Sequence, residues 1–197
     1  MTANPLSNDK AGLRSRLLAR RRALTPAERT AAAEALAEHA GRLAEPDATV
    51  AAYVSVGAEP GTGPLLDALL ARRVRVLLPV LLPDNDLDWA RYTGPGQLAP
   101  ASRGLLEPTG PRLGPAAVCS ARLVLLPGLA VDHRGIRLGR GGGSYDRVLA
   151  RLAAAGAEPD LATVLYDHEL LARVPAEPHD LPVRAAVTPS GVVRFAG

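Results

Sequence analysis

The amino-acid sequence predicts an α/β fold, with an open, mainly parallel sheet, helices on both faces and three layers in a single domain. Short apolar segments of strand character alternate with segments of helical spacing along the chain, a pattern typical of strands joined by crossover helices. The length of 197 residues suits one domain with a sizeable core. We therefore expect residues 1–197 to form one domain, with residues 1–8 disordered.

Three helices are predicted in the first half of the chain, and one helix followed by a shorter helical segment in the second. Residues 9–24 carry leucines at helical spacing among arginines, and residues 64–72 also have helical character. The segment Thr25-Pro26-Ala27-Glu28 has the residues of a capping box with proline at the first helical position. A helix is therefore expected from there to about Leu43, and another from Ser144 to Ala155.

Strands are predicted where short apolar runs end at turn residues. These runs cover residues 48–56, 74–78, 87–92, 123–126 and 161–165, and a terminal hairpin pairs 185–188 with 192–195. Pro79 is expected to end the second strand, since proline lacks the N–H that a sheet requires. Residues 94–115 and 175–182 are rich in Gly or Pro and are predicted loops, and a helical segment is expected from His168.

The composition excludes several classes of protein. No apolar run approaches the ~20 residues that span a bilayer, and the N-terminus lacks the apolar core of a secretion signal. The single cysteine, Cys119, rules out an internal disulfide and suits a reducing compartment. We expect a cytoplasmic protein with no membrane partner.

The charge pattern gives little support for a nucleic-acid partner. The formal net charge is +3, and 22 of the 23 basic residues are arginines interleaved with 20 acidic residues. We therefore expect no nucleic-acid partner, although the arginine-rich first helix leaves such binding open as an alternative. Lys10, the only lysine in the sequence, is a candidate for a site that requires a compact ammonium group.

The most informative segment is a glycine-rich loop between a predicted strand and a predicted helix. Gly139 and residues 141–143 let backbone N–H groups approach an anion closely, and the helix start adds oriented donors. Arg137 and Arg140 add fork-shaped cationic donors suited to phosphate. The loop lacks the patterns of P-loop enzymes and of dinucleotide-binding folds. It predicts a cradle for a polyphosphate, with Asp146 placed to serve a Mg²⁺ ion.

Four further residues are candidates, each with an ordinary alternative. Lys10 and Arg14 lie four residues apart and share one helix face, where they either bind an anion or are solvated. Glu59 follows a predicted strand and is either a ligand contact or an exposed loop residue. Trp89, the only tryptophan, is either a stacking platform for a flat heterocycle or a packing residue. No Cys/His cluster indicates zinc, and no Gly-x-Ser-x-Gly motif indicates a hydrolase.

Taken together, the motifs resemble those of the 5-formyltetrahydrofolate cyclo-ligase family over nearly the whole chain. The matching segments are Lys10-x-x-x-Arg14, Tyr53 to Glu59, Leu106-Glu107-Pro108, Leu126 to Ala130, Arg137 to Arg147, His179-Asp180 and Thr188. The resemblance implies ATP- and Mg²⁺-dependent closure of 5-formyltetrahydrofolate to 5,10-methenyltetrahydrofolate, with release of ADP and phosphate. The γ-phosphoryl group would activate the formyl oxygen, and N10 would then attack the activated carbon.

The resemblance also implies roles for individual residues. ATP contacts are expected from Lys10, Arg14, Arg137, Leu138, Gly139, Arg140, Gly141, Gly142, Gly143, Ser144 and Tyr145. Folate contacts are expected from Val54, Glu59, Trp89, Arg140, Gly141, Gly142, Gly143 and Ser144. Arg14 and Arg140 are the expected catalytic residues, and Asp146 and Asp180 the expected metal ligands. Ser144 and Val131 stand where the family commonly has aromatic residues, which removes ring surface near the folate.

Two other classes of function remain open from the sequence. A sugar-phosphate isomerase or a CoA-transferase-like enzyme can have a similar α/β scaffold, although the combination of Lys10, Arg14 and Asp146 argues against one. A nucleic-acid-binding protein is the other alternative. The expected partners are ATP and a reduced folate, and we expect a monomer or a weak homodimer.

Overall fold

The structure is a computed structural model that describes residues 5–177 and 181–195, with side chains described from residue 10 onward. The helices are α1 (Pro5–Ala23), α2 (Pro26–Gly41), α3 (Gly63–Ala71) and α4 (Ser144–Ala154). The strands are β1 (Thr49–Ala51), β2 (Arg75–Leu81), β3 (Leu87–Tyr92), β4 (Leu98–Pro100), β5 (Leu106–Pro108), β6 (Leu123–Pro127), β7 (Ala130–Asp132), β8 (Arg137–Leu138), β9 (Asp160–Val164), β10 (Leu170–Leu171), β11 (Ala185–Thr188) and β12 (Gly191–Arg194).

The main sheet has seven strands in the order β12-β11-β9-β6-β1-β2-β3. The five inner strands, from β11 to β2, run parallel, and the two edge strands β12 and β3 are antiparallel to their neighbours. The inner strands therefore present their carboxyl ends at one edge, where ligands bind in open α/β sheets.

Apolar side chains cover both faces of this sheet. On one face, Leu36 of α2 and Leu66 of α3 pack with Val50 and Leu125. On the other, Val148 and Leu152 of α4 and Val118 of a 3₁₀ segment (Pro115–Ser120) pack with Val124 and Leu126. The predicted α/β class with helices on both faces is confirmed.

Helix α1 packs on a second, smaller sheet rather than on the main one. This sheet has the strand order β10-β7-β8, and Leu17 of α1 is buried against its residues Ala130 and Leu138. Helix α1 begins at Pro5, inside the segment that the sequence predicted to be disordered. Its position brings arginines of α1 next to the glycine-rich loop.

The predicted start of α2 is confirmed in detail. Thr25 caps the helix by accepting a hydrogen bond from the backbone N–H of Glu28, whose carboxylate accepts one from the backbone N–H of Thr25. Pro26 occupies the first helical position. Local sequence alone determines this start, since both partners lie within four residues.

Strand β1 is shorter than predicted because Thr62 draws the chain away from the sheet. The strand ends at Ala51, whereas the sequence predicted it to continue to residue 56. Beyond it, the Thr62 hydroxyl donates to the carbonyl of Tyr53 and accepts from the N–H of Ser55. Residues 52–56 therefore form an ordered turn at the edge of the sheet.

Strand β2 passes through Pro79, which was expected to end it. Pairing with β1 stops at Leu77, so Pro79 lies where β2 has a strand neighbour on only one side, opposite Trp89 of β3. Proline is tolerated in such edge-like positions because no N–H is needed there.

Two further segments differ in the structure from what the sequence predicted. The predicted loop 94–115 contains the β4–β5 hairpin, and the helical segment expected from His168 is only a 3₁₀ turn at residues 167–169, followed by β10.

Candidate active site

A cavity of about 410 Å³ opens at the carboxyl edge of the main sheet. Its wall is built from the chain after β1, the end of β2, the β4–β5 hairpin, the end of β6 and the glycine-rich loop. The lining residues are Tyr53, Val54, Val56, Glu59, Pro79, Leu81, Leu87, Arg103, Leu105, Leu106, Glu107, Pro127, Arg137, Gly139, Arg140, Gly141, Gly142, Gly143, Ser144, Tyr145 and Asp146. The glycine-rich loop supplies glycines and charged groups, and the other segments supply mostly apolar residues together with Glu59, Arg103 and Glu107.

The glycine-rich loop ends at the N-terminus of α4 without a side-chain cap. Gly143 precedes the helix with a φ of 77°, and no side chain bonds to the first-turn N–H groups. The first N–H groups of a helix have no intrahelical acceptor. They are therefore available to an anion in the cavity, and the helix dipole favours negative charge there.

Gly141 has a conformational reason to be glycine. Its φ of +92° is a conformation that residues with a side chain rarely adopt. An added Cβ would lie 3.7 Å from the guanidinium carbon of Arg14, which is an ordinary van der Waals distance. The loop backbone at Gly141 therefore lies beside the side chain of Arg14 on α1.

Arg137 connects the end of β6 to the start of α4. One terminal nitrogen donates to the carbonyl oxygen of Pro127 at 3.0 Å, and the other lies 3.2 Å from the Asp146 carboxylate. The side chain of Arg137 is 8% exposed, whereas that of Asp146 is 67% exposed. A mostly buried guanidinium thus faces the cavity beside an accessible carboxylate.

Arg140 and Glu59 form an ion pair between the glycine-rich loop and the turn after β1. The distance from the Arg140 guanidinium to Glu59 Oε1 is 3.2 Å. Glu59 Oε2 accepts a hydrogen bond from the N–H of Val56 at 2.8 Å. The backbone therefore fixes one carboxylate oxygen, and the other oxygen bonds to an exposed side chain that could be replaced by another donor. Glu59 is largely buried, while Arg140 is exposed.

Lys10 and Arg14 do not line the cavity, although Arg14 contacts its glycine-rich loop. Arg14 donates from Nε to the carbonyl of Gly139 at 2.9 Å, so it holds the glycine-rich loop. The Lys10 ammonium lies 3.1 Å from the carboxylate of Glu177 and is largely buried. Asp180, the second expected metal ligand, lies outside the described residues.

Two of the residues expected to contact ligands have buried side chains away from the cavity. Trp89 is fully buried between the sheet and α4. Leu87, two residues earlier in β3, reaches the cavity, and Trp89 lies deeper along the strand. Leu138 is buried against Leu17, and its carbonyl accepts from the N–H of Leu129. Trp89 and Leu138 do not line the cavity, and the expected contacts of Trp89 with folate and of Leu138 with ATP stay predictions.

The other expected site residues are brought together by the fold. Val54, Glu59, Arg137, Gly139, Arg140, Gly141, Gly142, Gly143, Ser144, Tyr145 and Asp146 all line the cavity. Burial raises the pKa of the Tyr145 hydroxyl well above its ordinary value, so this hydroxyl stays protonated at neutral pH. It is therefore a possible hydrogen-bond donor but not a base.

The sequence analysis assigned no role to several lining residues. Tyr53 and the hairpin residues Arg103, Leu105 and Glu107 line the cavity. The motif Leu106-Glu107-Pro108 was a signal that this segment matters, but its position over the cavity depends on long-range contacts. One of them is the hydrogen bond from the N–H of Leu81 to the Glu107 carboxylate at 2.9 Å.

A buried polar network supports the site from behind. The Arg21 guanidinium donates to both carboxylate oxygens of Glu169, at 2.6 and 2.9 Å, and to the carbonyl of Gly128. Glu169 also accepts from the N–H of Tyr166, whose hydroxyl donates to the carbonyl of Glu59 at 3.2 Å. Neither charged partner was expected in the core from sequence. Burial raises the pKa of Glu169, although its contacts with Arg21 oppose that shift.

The described residues contain no group of three or more His, Cys, Asp or Glu side chains arranged to hold a metal ion. Mg²⁺ is often held by one or two carboxylates together with substrate phosphates. The accessible Asp146 carboxylate beside the anion-binding helix start suits that mode. In the part of the chain that the structure describes, no helix is both long and apolar enough to cross a membrane.

Comparison with known proteins agrees with this site. Residues 6–189 match the 5-formyltetrahydrofolate cyclo-ligase family. The chain is 44% identical over 190 residues to a 5-formyltetrahydrofolate cyclo-ligase of Mycolicibacterium smegmatis, covering 93% of this chain and 96% of that protein. It is 32% identical over 179 residues to the Escherichia coli protein of the same name, covering 88% and 96%.

A solved structure shows the same fold. The Aquifex aeolicus 5,10-methenyltetrahydrofolate synthetase superposes with a TM-score of 0.75 at 29% sequence identity, covering 95% of this chain and 93% of that one. The fold is that of an α/β enzyme with a cavity at the carboxyl edge of its main sheet. The chain belongs to the 5-formyltetrahydrofolate cyclo-ligase family, which favours this class over an isomerase, a CoA-transferase or a nucleic-acid-binding protein.

Proposed function

We propose that this enzyme converts 5-formyltetrahydrofolate to 5,10-methenyltetrahydrofolate with consumption of MgATP and release of ADP and phosphate. The observation that carries the proposal is the mixed lining of the cavity. A glycine-rich loop contributes Arg137 and Arg140, and other segments contribute Val56, Leu81 and Leu105. The charged loop suits a triphosphate, and the apolar residues suit a flat reduced-pterin ring.

The reaction needs phosphoryl activation because a formamide oxygen is a poor leaving group. The formyl oxygen attacks the γ-phosphorus of ATP, and ADP leaves. N10 then attacks the activated formyl carbon, and the C–O bond breaks as inorganic phosphate departs. The resulting C–N bond closes the ring, and the N10 proton leaves with the phosphate to give the methenyl product. No protein nucleophile is required, so the protein contributes positioning and charge neutralisation.

The arginines of the loop supply that neutralisation. Arg137 is held by Pro127 and Asp146 with its guanidinium at the cavity wall, which suits a contact with the phosphate chain. Arg140 is more exposed and suits the transferring phosphoryl group. Asp146 would hold Mg²⁺, which would neutralise phosphate charge. Fixed cations of this kind raise phosphoryl-transfer rates by roughly 10³–10⁵-fold.

Glu59 is placed to exchange its partner when folate binds. In the structure it accepts from Arg140, and the N–H groups of a pterin ring are alternative donors. Transfer of Glu59 to the ring would release Arg140 toward the phosphoryl group. Folate binding would thus prepare the cation for the chemical step. Arg14, which bonds to Gly139 rather than lining the cavity, would act by holding the loop.

The test is to follow the absorbance rise of the methenyl product from 5-formyltetrahydrofolate and MgATP. We expect product with the wild-type protein and at least a hundredfold slower formation with Arg140→Ala, consistent with loss of a charge-stabilising group. Arg91→Ala is the matched control, because Arg91 is an exposed arginine on β3 outside the cavity. Absence of product from folded wild-type protein would refute the activity, and an unaffected Arg140→Ala variant would refute the role of the loop.

A further inference from the structure

The cavity contains one arginine that the other charged lining residues do not neutralise. Each of the three acidic lining residues already has an arginine partner: Glu59 with Arg140, Asp146 with Arg137, and Glu107 with Arg112. The remaining charged lining residue is Arg103. Its guanidinium makes no hydrogen bond or ion pair with the residues whose side chains the structure describes, 10–177 and 181–195.

Arg103 is carried by a fixed turn rather than by a loose loop. It lies between β4 and β5 with a φ of 57°, and the turn is closed by hydrogen bonds from Leu105 to Ser102 and from Ala101 to Leu105. The pairing of β4 with β5 and the bond from Leu81 to Glu107 attach this hairpin to the main sheet. The backbone that carries this exposed cation is therefore fixed at the cavity wall before any ligand arrives.

The neighbours of Arg103 indicate which part of a ligand it meets. Leu105 and Leu106 of the same hairpin line the cavity and offer apolar surface to an aromatic ring. The phosphate-binding features all belong to a different segment, residues 137–146. A ligand that packs a ring on the hairpin and meets Arg103 must carry its negative charge beyond that ring.

We infer that Arg103 binds a carboxylate of the glutamate tail of the reduced folate. The inference rests on the proposed function and deepens it. The folate substrate consists of a pterin ring, an aminobenzoyl ring and a glutamate with two carboxylates. An arginine fork pairs with a carboxylate through two parallel hydrogen bonds. Arg103 is thus a determinant of folate affinity, separate from the ATP-binding loop.

Kinetics with two substrates test this assignment. Arg103→Gln should raise KM for 5-formyltetrahydrofolate about tenfold, the scale of one lost charge-assisted hydrogen-bond pair, and leave KM for ATP within about twofold. Arg103→Lys keeps the charge, and its KM for 5-formyltetrahydrofolate should lie between those of wild type and Arg103→Gln. With an analogue whose glutamate is replaced by a methylamide, wild type and Arg103→Gln should have equal KM. Arg91→Gln, outside the cavity, serves as the control and should match wild type throughout.

The outcomes separate this inference from the proposed function. An equal rise in KM for the full folate and the methylamide analogue, or a rise in KM for ATP alone, would overturn the role of Arg103. Calorimetry of 5-formyltetrahydrofolate binding without ATP tests the inference even if the wild-type protein shows no turnover. Binding that weakens in Arg103→Gln would support the inference even if wild type made no methenyl product. If wild type fails to bind the folate, both proposals are wrong.

Discussion

Arg21 of α1 and Glu169, which are 148 residues apart in sequence, form a fully buried ion pair with both carboxylate oxygens bonded. The pair joins the first helix to the turn after β9, and its third bond reaches Gly128, directly after β6. Tyr166 extends the network to the backbone of Glu59. The turn that carries Glu59 and the end of β6 are therefore connected through one charged group in the core.

Removal of one partner of this pair should destabilise the protein strongly. Arg21→Met leaves the Glu169 carboxylate buried without its cation, and we expect a loss of about 3–5 kcal/mol in the free energy of unfolding. The double variant Arg21→Met/Glu169→Leu should recover part of that loss, because it leaves no buried charge. Urea unfolding measures both. A double variant less stable than the single one would contradict this explanation.

Stability should depend on the ionisation of Asp86. The Arg151 guanidinium on α4 donates to both oxygens of Asp86, at 3.2 and 2.6 Å. Hydrogen bonding from Arg151 lowers the pKa of this carboxyl despite its partial burial. A lowered folded-state pKa contributes stability above the unfolded value of about 3.9, and that stability is lost as the pH falls through the folded value.

Asp86→Asn tests this pH dependence directly. At pH 7 the variant should be less stable than wild type by about 1–2 kcal/mol, the scale of a charge-assisted, half-buried hydrogen-bond pair. The difference should shrink as the pH falls below about 4. Urea unfolding at a series of pH values measures it. If the stability difference between wild type and Asp86→Asn stays constant down to pH 2, the ionised carboxylate of Asp86 is not the source of the stabilisation.

The glycine-rich loop offers an internal comparison for backbone strain. Gly141→Ala places a side chain at a φ of +92° and beside Arg14, whereas a Cβ on Gly142 would enter open space without a positive φ. We expect Gly141→Ala to lower the free energy of unfolding by about 1 kcal/mol or more, and Gly142→Ala to leave it within about 0.5 kcal/mol. Thermal unfolding measures both. Equal effects would argue against the loop geometry.

Arg14 should act through the loop that it holds. Loss of its hydrogen bond to Gly139 in Arg14→Ala should raise KM for ATP about tenfold or more, since the phosphate-binding backbone would no longer be fixed. Arg16→Ala is the control, because Arg16 is an exposed arginine on the same helix. The measurement is the ATP dependence of methenyl formation. An unchanged KM for ATP in Arg14→Ala would remove Arg14 from the site.

Features that depend on nearby residues were predicted well from the sequence. The capping box at Thr25 and Glu28 and the helix after Gly143 follow from local chemistry. The alternation of strands and helices was sufficient for the α/β class. Glu59 was proposed because it follows a predicted strand, and Arg140 because it is a cationic donor in the glycine-rich loop. Parallel strands bring the two segments to one edge of the sheet.

Features that depend on tertiary neighbours were not predictable in the same way. Pro79 is compatible with a strand only because β1 has already ended. The sequence around Trp89 is the same for a packing residue as for a ligand-stacking residue. Only its depth along β3 shows that its side chain is buried in the core. Arg21 is one of 22 arginines in the sequence, and only the approach of Glu169 distinguishes it from the solvated ones on α1.

The position of α1 has a consequence for how the enzyme is assembled during synthesis. Arg14 contacts Gly139 across 125 residues of sequence, and Arg21 contacts Glu169 across 148. Helix α1 must therefore wait until residues 139–169 have been synthesised before both contacts can form, and such distant contacts form slowly. The hydrogen bond that Arg14 donates to the glycine-rich loop forms only with that docking. A chain truncated before Glu169 would contain the whole glycine-rich loop without the buried ion pair that fixes α1.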